Sequence, residues 1–400
     1  MQKEKQQSII KYKLIFTVLV ILIYMFGREI PLYMTDIMAY RDKGLDTSGM
    51  LMQAISGDIY MCSIFALGIT PYMISSIIVQ IVSAFRSNEQ KAKIAPSQMT
   101  KLSLASMLII AIVQAALQSR SLQFTVTGQM MVSAQIIATL EMVTGAVIIV
   151  WLSSANRRYG IGGQSPLILL NVLDSIKTIL DEHSAMQLIL PFLIAFVVMV
   201  VTIIFENTEM RIPVQRISIH NIYADRNYLA IKLHPIGVMP AMFSTAVFVL
   251  PQMVVGLLSW VWPENSSIIW WQDNMVLDKP LGIAMYVLVL YILTIGFSRV
   301  FLNPKEITEQ YLKSGDSLQD IHAGVETRKY LSRAITCISF ISATAMSVCL
   351  TIPMALQAMG YMEATLTTVP TMSMMLTGVW CNIYREYRAV RDLEAYKPFI

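Results

Sequence analysis

Glu141 and Asp174 are the only acidic residues well inside the apolar segments of this 400-residue chain. A proton or ion relay at membrane depth needs a chain of such groups, and two isolated carboxylates make a thin one. The plainer reading is that each pairs with a polar neighbour or faces a water-filled cavity. Other chemistry is harder to find. Cys62, Cys337, Cys349 and Cys381 are scattered, with no Cys-x-x-Cys, and read as small hydrophobes in helices. The four histidines show no metal-ligand spacing. No Gly-Lys dipeptide occurs, so there is no Walker A phosphate loop. A membrane protease would show a serine–histidine pair, paired aspartates or His-Glu-x-x-His, and none is seen. The expectation is a chain without catalysis, metal or cofactor.

A different polar signal stands out in Ser63–Val82, which reads Ser-Ile-Phe-Ala-Leu-Gly-Ile-Thr-Pro-Tyr-Met-Ile-Ser-Ser-Ile-Ile-Val-Gln-Ile-Val. The block is long and apolar enough to cross a bilayer. Yet Gly68 and Pro71 interrupt its first half, and Ser75, Ser76 and Gln80 dot the rest. A plain anchor has no use for a helix breaker or for unpaired polar groups in hydrocarbon. A helix that lines something wet, or that must part from a neighbour, does.

The elements that position these residues follow from composition. The chain is 55% hydrophobic and 14% charged, against about 25% charged in soluble domains. Ten apolar segments, near 14–30, 62–84, 102–119, 129–152, 163–180, 186–205, 235–260, 281–301, 334–357 and 365–384, each approach the roughly 20 residues needed to span hydrocarbon. The fold class is therefore an all-α polytopic membrane protein. With the N-terminus inside and ten alternating spans, 24 of the 30 Lys and Arg face the cytosol. That obeys the positive-inside rule and puts both termini in the cytosol. All six tryptophans fall at predicted interfaces. The Lys-rich start mimics a signal peptide, but no small-x-small site follows, so it reads as a retained first span.

Residues 1–185 and 186–400 could form two five-span halves. Each has a Pro-interrupted second member, Pro71 in span two and Pro240 in span seven, which suggests an inverted repeat with a central site. Outside, Thr47–Gly57 is a short amphipathic stretch, too short to span. Inside, loops 206–234 and 302–333 are large and mixed in charge, which fits a soluble docking partner better than lipid. A polar-dotted bundle with broken helices and no energy source of its own describes a passive conduit driven by a partner.

At this point the residues resemble a family. The Ser63–Val82 block is similar, almost residue for residue, to the second-span signature of the SecY family, the central subunits of protein-conducting channels. Further matches follow in order: Gly27-x-x-Ile-Pro31, Thr144-Gly145, Trp151-Leu152, Arg158-Tyr-Gly-Ile-Gly162, Arg211-Ile-Pro-Val-Gln215, Gly237-Val-Met-Pro-Ala241, Asn303-Pro-Lys-Glu306 and Leu312-Lys-Ser-Gly315. The resemblance covers about residues 14 to 390. It implies ten transmembrane helices in two pseudo-symmetric halves that close like a clamshell around an hourglass. Matched motif by motif, it assigns the aliphatic pore ring to Ile69, Met73, Leu169, Met242 and Leu376. Such a constriction dewets and blocks ions while offering a passing chain no sticky groups.

The resemblance assigns the plug to about 47–58, including Thr47, Met50, Leu51, Met52, Ala54, Ile55 and Gly57. It places a lateral gate toward lipid between spans two/three and seven/eight, with Ser76, Gln80, Ser244 and Thr245 as polar members. It gives the two cytosolic loops to motor docking, with Arg211, Arg216, His322, Arg328 and Lys329 as the residues involved. The family's usual Gly-Ile-Arg-Pro-Gly reads here Asp320-Ile-His-Ala-Gly324. His is largely neutral near pH 7 where Arg is charged and forked, so the docking partner is expected to differ. Short termini, short outer loops and this substitution look like the accessory SecY group of Gram-positive bacteria. That group works with a dedicated SecA-type ATPase and exports serine-rich glycoprotein adhesins. The implied partners are that motor, a SecE-like or other small membrane subunit, a secreted preprotein and membrane lipid, with no nucleic acid. The implied location is the bacterial plasma membrane. A housekeeping SecY of a divergent bacterium and an ion-coupled secondary transporter are the alternatives.

Overall fold

The computed structural model of the chain describes residues 2–36, 62–84, 96–216, 227–237, 239–262, 265–277 and 279–395. Thr47–Gly57, the expected plug, lies outside them. So do the side chains of Gln80, Arg216, Met242 and Thr245.

Ten long helices account for the apolar segments: α1 (Gln2–Arg28), α2 (Thr70–Ala84), α3 (Pro96–Ser121), α4 (Gln129–Tyr159), α5 (Ser165–Glu182), α6 (Ala185–Asn207), α7 (Met239–Val261), α9 (Pro280–Leu302), α11 (Val325–Ala358) and α12 (Ala364–Ala395). Two short helices sit in connections, α8 (Ser266–Asn274) and α10 (Pro304–Ser314). Among the described residues, six helices or helix pairs are apolar and long enough to cross a membrane on their own. Of the ten, α2, α5, α12 and α7, the last with only part of its side chains described, are not among them. The first has only 15 residues, the second carries Asp174, Lys177 and Asp181, and the third is rich in Thr. The reason is position: α12 packs against α6, α5 and α11, and is buried or half-buried all round between Leu366 and Val379. A helix ringed by protein need not be apolar on every face.

The second span differs from its sequence reading. Pro71 does not break a helix extending over 62–84; the helix begins at Thr70, with Pro71 its second residue. There the missing N–H costs nothing, because the first turn has no intrahelical acceptor for it. Residues 63–69 are a chain of turns instead, closed by Gly68 at φ 54°. Span seven is built alike. Gly237 has φ 70°, and Pro240 is the second residue of α7. The same Gly-x-x-Pro spacing thus opens both helices, and α2 and α7 pack against each other.

Two motif glycines make room for the 63–69 turn. A Cβ on Gly27 would lie 2.0 Å from the Phe65 ring, and one on Gly145 would lie 2.0 Å from the Ile64 carbonyl oxygen. The turn is also tied to the outer end of span one, where Ile64 N–H donates to Ile30 and Leu32 N–H donates to Cys62.

The two large polar loops are not helical throughout, which qualifies the all-α reading. Strands β1 (Glu209–Arg216) and β2 (Tyr228–Lys232) form an antiparallel hairpin. Strand β3 (Asp316–Leu318), from the other loop, pairs with β1 through Val214–Leu318. The order is β2-β1-β3. Ile212, Ile231 and Leu318 cover Leu331, Ile335 and Ile338 of α11, giving this end of the bundle an apolar core of its own.

Candidate functional site: an apolar constriction between two halves

Ile69 ends the 63–69 turn and Met73 lies one helical turn on, with the Met73 N–H donating to the Ile69 carbonyl. Both are buried. Leu169 on α5 and Leu376 on α12 are half-buried against the same apolar cluster. Phe243 on α7 belongs to it too, edge-on to Phe297 of α9 at 5.6 Å between ring centroids. Four of the five expected ring residues, far apart in sequence, therefore share one apolar cluster. Met242 precedes Phe243 and holds the same place relative to Pro240 that Met73 holds relative to Pro71.

The expected gate residues behave differently. The Ser76 hydroxyl donates to the Met73 carbonyl and that of Ser244 to the Ala241 carbonyl, each at 2.8 Å within its own helix. Neither proton crosses the α2/α7 seam. Its neighbour Ser75, fully buried, is the hydroxyl that reaches another helix. It bonds Ser106 at 2.6 Å and the Ser103 carbonyl of α3.

The carboxylates have partners. Asp174 pairs with Arg28, joining α5 to the end of α1, and Tyr24 donates to Asn171 one turn away. Glu141 accepts from the Tyr33 backbone N–H at 2.9 Å. Among the described residues, no three His, Cys, Asp or Glu side chains gather where a metal could bind.

The motor-docking candidates lie at the sheet end. Arg211 is exposed on β1, its guanidinium 4.7 Å from the centre of the Tyr228 ring on β2, and Arg216 closes the same strand opposite Asp316. His322 is exposed before α11. Arg328 and Lys329, in the first turns of α11, line a groove with Arg299 and Arg333.

One buried network there was not singled out by sequence. Glu206, 1% exposed at the end of α6, accepts from Arg385 of α12 at 2.7 Å, and Arg385 also holds the Glu206 carbonyl. Gly237 leaves no room for a Cβ beside Glu206. In the turn between β2 and α7, buried His234 bonds Ser342 of α11 at 3.1 Å, edge-on to Phe205. Burial lowers the His234 pKa from its ordinary 6.5 to about 4, and a hydrogen bond with the Gly237 backbone offsets this only in part. The one signal in sequence was a carboxylate at the exact end of an apolar run.

A family model for SecY matches residues 63–381. The chain belongs to the SecY family. Its relatives include accessory Sec system protein translocase subunits SecY2. That of Leuconostoc gelidum subsp. gasicomitatum is 29% identical over 84% of both chains. That of Streptococcus agalactiae serotype III is 29% identical over 98% of this chain and 96% of the relative. Among solved structures, a protein-conducting channel superposes with a TM-score of 0.67 at 15% identity, covering 96% of this chain and 93% of the other. Sec61 from a canine ribosome–channel complex of the endoplasmic reticulum gives 0.63 at 15%, with the same coverage. The SecY fold, ten transmembrane helices in two pseudo-symmetric halves, is thus the fold of this chain, and the family is one of translocation channels.

Proposed function

We propose that this SecY-family channel passes unfolded polypeptides outward across a bacterial plasma membrane, with both termini in the cytosol and a SecA-type ATPase supplying the energy. The single observation behind this reading is the cluster of Ile69, Met73, Leu169 and Leu376, drawn from the 63–69 turn, α2, α5 and α12. An apolar constriction of that kind conducts poorly for ions and grips nothing. By its place two residues after Pro240, as Met73 follows Pro71, Met242 is the fifth ring residue. Two of the five ring side chains are methionine, which is unbranched and deformable, and this suits a seal around bulky chains. The stretch 47–58 serves as the plug; in a solved SecY, 16% identical, the plug domain stabilises the closed state. The α2/α7 seam is the lateral gate, with Ser76, Gln80, Ser244 and Thr245 as its polar members.

The accessory role follows from the names of the relatives and from His322 in the loop tip. Arg211, Arg216, His322, Arg328 and Lys329 face a dedicated accessory motor, a SecE-like or other small membrane subunit braces the halves, and serine-rich glycoprotein adhesins are the cargo. Inverted membrane vesicles test this reading. A preprotein becomes protease-protected only when ATP and the accessory ATPase are both present. Uptake of a small solute without the ATPase, and no protection of polypeptide, would overturn it.

A further inference from the structure

The turn between α4 and α5 carries the motif Arg158-Tyr-Gly-Ile-Gly162. A buried side chain presets its shape. Asn156, 0% exposed, donates through Nδ2 to the Ile161 and Gly163 carbonyls at 3.0 and 2.8 Å, and accepts from Thr17 of α1. Gly162 has φ 82°, and a Cβ there would crowd Pro166 of α5 and Ile383 of α12 at 3.1 and 3.2 Å. The turn thus presses on α12. One helical turn beyond Ile383, Glu386 accepts the Gly162 N–H through Oε2 at 2.9 Å. Its neighbour Arg385 holds Glu206 of α6. At the sheet end, α12 is therefore fastened in two directions, into its own half by Arg385 and into the other half by Glu386.

The far end of α5 is fastened to the same helix. His183 follows α5, and its side chain is only 9% exposed. Its Nδ1 lies 3.0 Å from the Ile179 carbonyl, which can only accept, so Nδ1 carries the proton. Nε2 then accepts from the Thr365 hydroxyl of α12 at 3.0 Å. Glu363 Oε2 lies 3.2 Å from the same nitrogen, and Gln187 of α6 braces that carboxylate. Thr365 and Glu386 are about 32 Å apart by helical rise, so the two polar contacts bracket the length of helix that spans hydrocarbon. Between them the contact is apolar, with Leu167, Val172 and Ile179 of α5 in one cluster with Val369, Met372 and Val379 of α12.

Helix α5 belongs to one half and α12 to the other. At the α2/α7 seam, by contrast, Ser76 and Ser244 each bond back into their own helix. A joint with polar fasteners at both ends resists sliding and splaying, and a seam of apolar and weak polar contacts parts at lower cost. We propose that α5 and α12 form the fixed side of the constriction, with Glu386 and His183 as the positioning residues that keep them together when the halves part. Leu169 of α5 and Leu376 of α12 hold their spacing, and the ring widens on the other side, where Met73 of α2 leaves Met242 of α7. This rests on the reading of the α2/α7 seam as the gate.

Spin-label distances test it in the full chain, with whatever membrane subunits co-purify, in nanodiscs of phosphatidylglycerol and phosphatidylcholine. Genetically encoded labels replace exposed residues in two pairs, Leu173 with Trp380 across α5/α12 and Ile78 with Val254 across α2/α7. The opening probe is a synthetic apolar helical peptide long enough to span the bilayer. In the chain with its fasteners intact, the peptide is expected to lengthen the Ile78–Val254 distance and leave Leu173–Trp380 unmoved. Without peptide, Glu386→Ala with His183→Ala is expected to broaden the Leu173–Trp380 distribution by about twofold at an unchanged Ile78–Val254 width. Glu386→Gln, which retains an oxygen to accept the Gly162 N–H, should keep it narrow. So should Tyr291→Phe, which removes a hydrogen bond to Thr344 inside one half. An unbroadened Ala pair, equal broadening at both label pairs, or a peptide that moves both pairs alike would overturn the proposal. A seam that the peptide leaves shut, with α5/α12 still loosened in the Ala pair, would count against the gate reading alone and leave the two fasteners standing.

Discussion

The Glu206–Arg385 pair shows what a single residue contributes. Glu206 is almost wholly buried and its Oε1 has no partner, so its charge relies on one guanidinium. Arg385→Ala is expected to cost about 3–5 kcal/mol, because it leaves a buried carboxylate unpaired. Glu206→Gln with Arg385→Ala should recover part of that loss in a thermal-shift measurement in detergent. His234 makes the second prediction at this scale. Its folded pKa, about 4, lies below the unfolded 6.5, so the unfolded chain binds the proton first. Stability is whole above pH 6.5 and falls as pH drops toward 4, by on the order of 3 kcal/mol at most. Replacing His234 with Gln should flatten that slope in melting curves taken between those limits; an unaltered slope would assign the acid sensitivity elsewhere. Some residue roles were legible in sequence and some were not. Asp174 and Glu141 read correctly as carboxylates with partners. Ser75 and Ser76 are neighbours, about 100° apart on a helix, and sequence does not say which one meets α3.

At the scale of elements, the ten spans were legible because an apolar run of that length has few other fates. The internal structure of span two was less so. Gly68 and Pro71 mark a break in either reading, but a turn followed by a Pro-initiated helix and a kinked continuous helix share the same residues. The distinguishing contact is the Gly145 approach to the Ile64 carbonyl, which joins separate spans. Gly145→Ala should therefore move backbone rather than a side-chain tip, and cost about 1–3 kcal/mol. Because Ile69 follows the same turn, the substitution should also raise ion leak through reconstituted channels. Unchanged leak with normal stability would separate the turn from the seal. The sheet was missed for another reason. Ile212 and Val214, and Leu229 and Ile231, alternate as strands do, but β1 and β2 are short and β3 comes from a different loop. Pairing at that separation leaves no local trace.

For the whole molecule, the halves meet where α2 and α3 face α7 and where α5 and α1 face α12. The first contact is the seam proposed to open toward lipid. The central apolar cluster draws on both halves, so parting them must disturb it. Residue patterns alone could suggest two halves from the matching prolines, but which helices touch across the interface is a property of the folded chain. In the proposed function a polypeptide passes through this cluster. Site-specific photocrosslinking tests it most directly, with a photoreactive residue at Met73 or Leu376, and at lipid-exposed Val197 as the control, in membranes holding a translocation-arrested preprotein. ATP-dependent adducts are expected at Met73 and Leu376 and none at Val197; adducts absent from both ring positions, or equally strong at Val197, would rule out passage through the cluster.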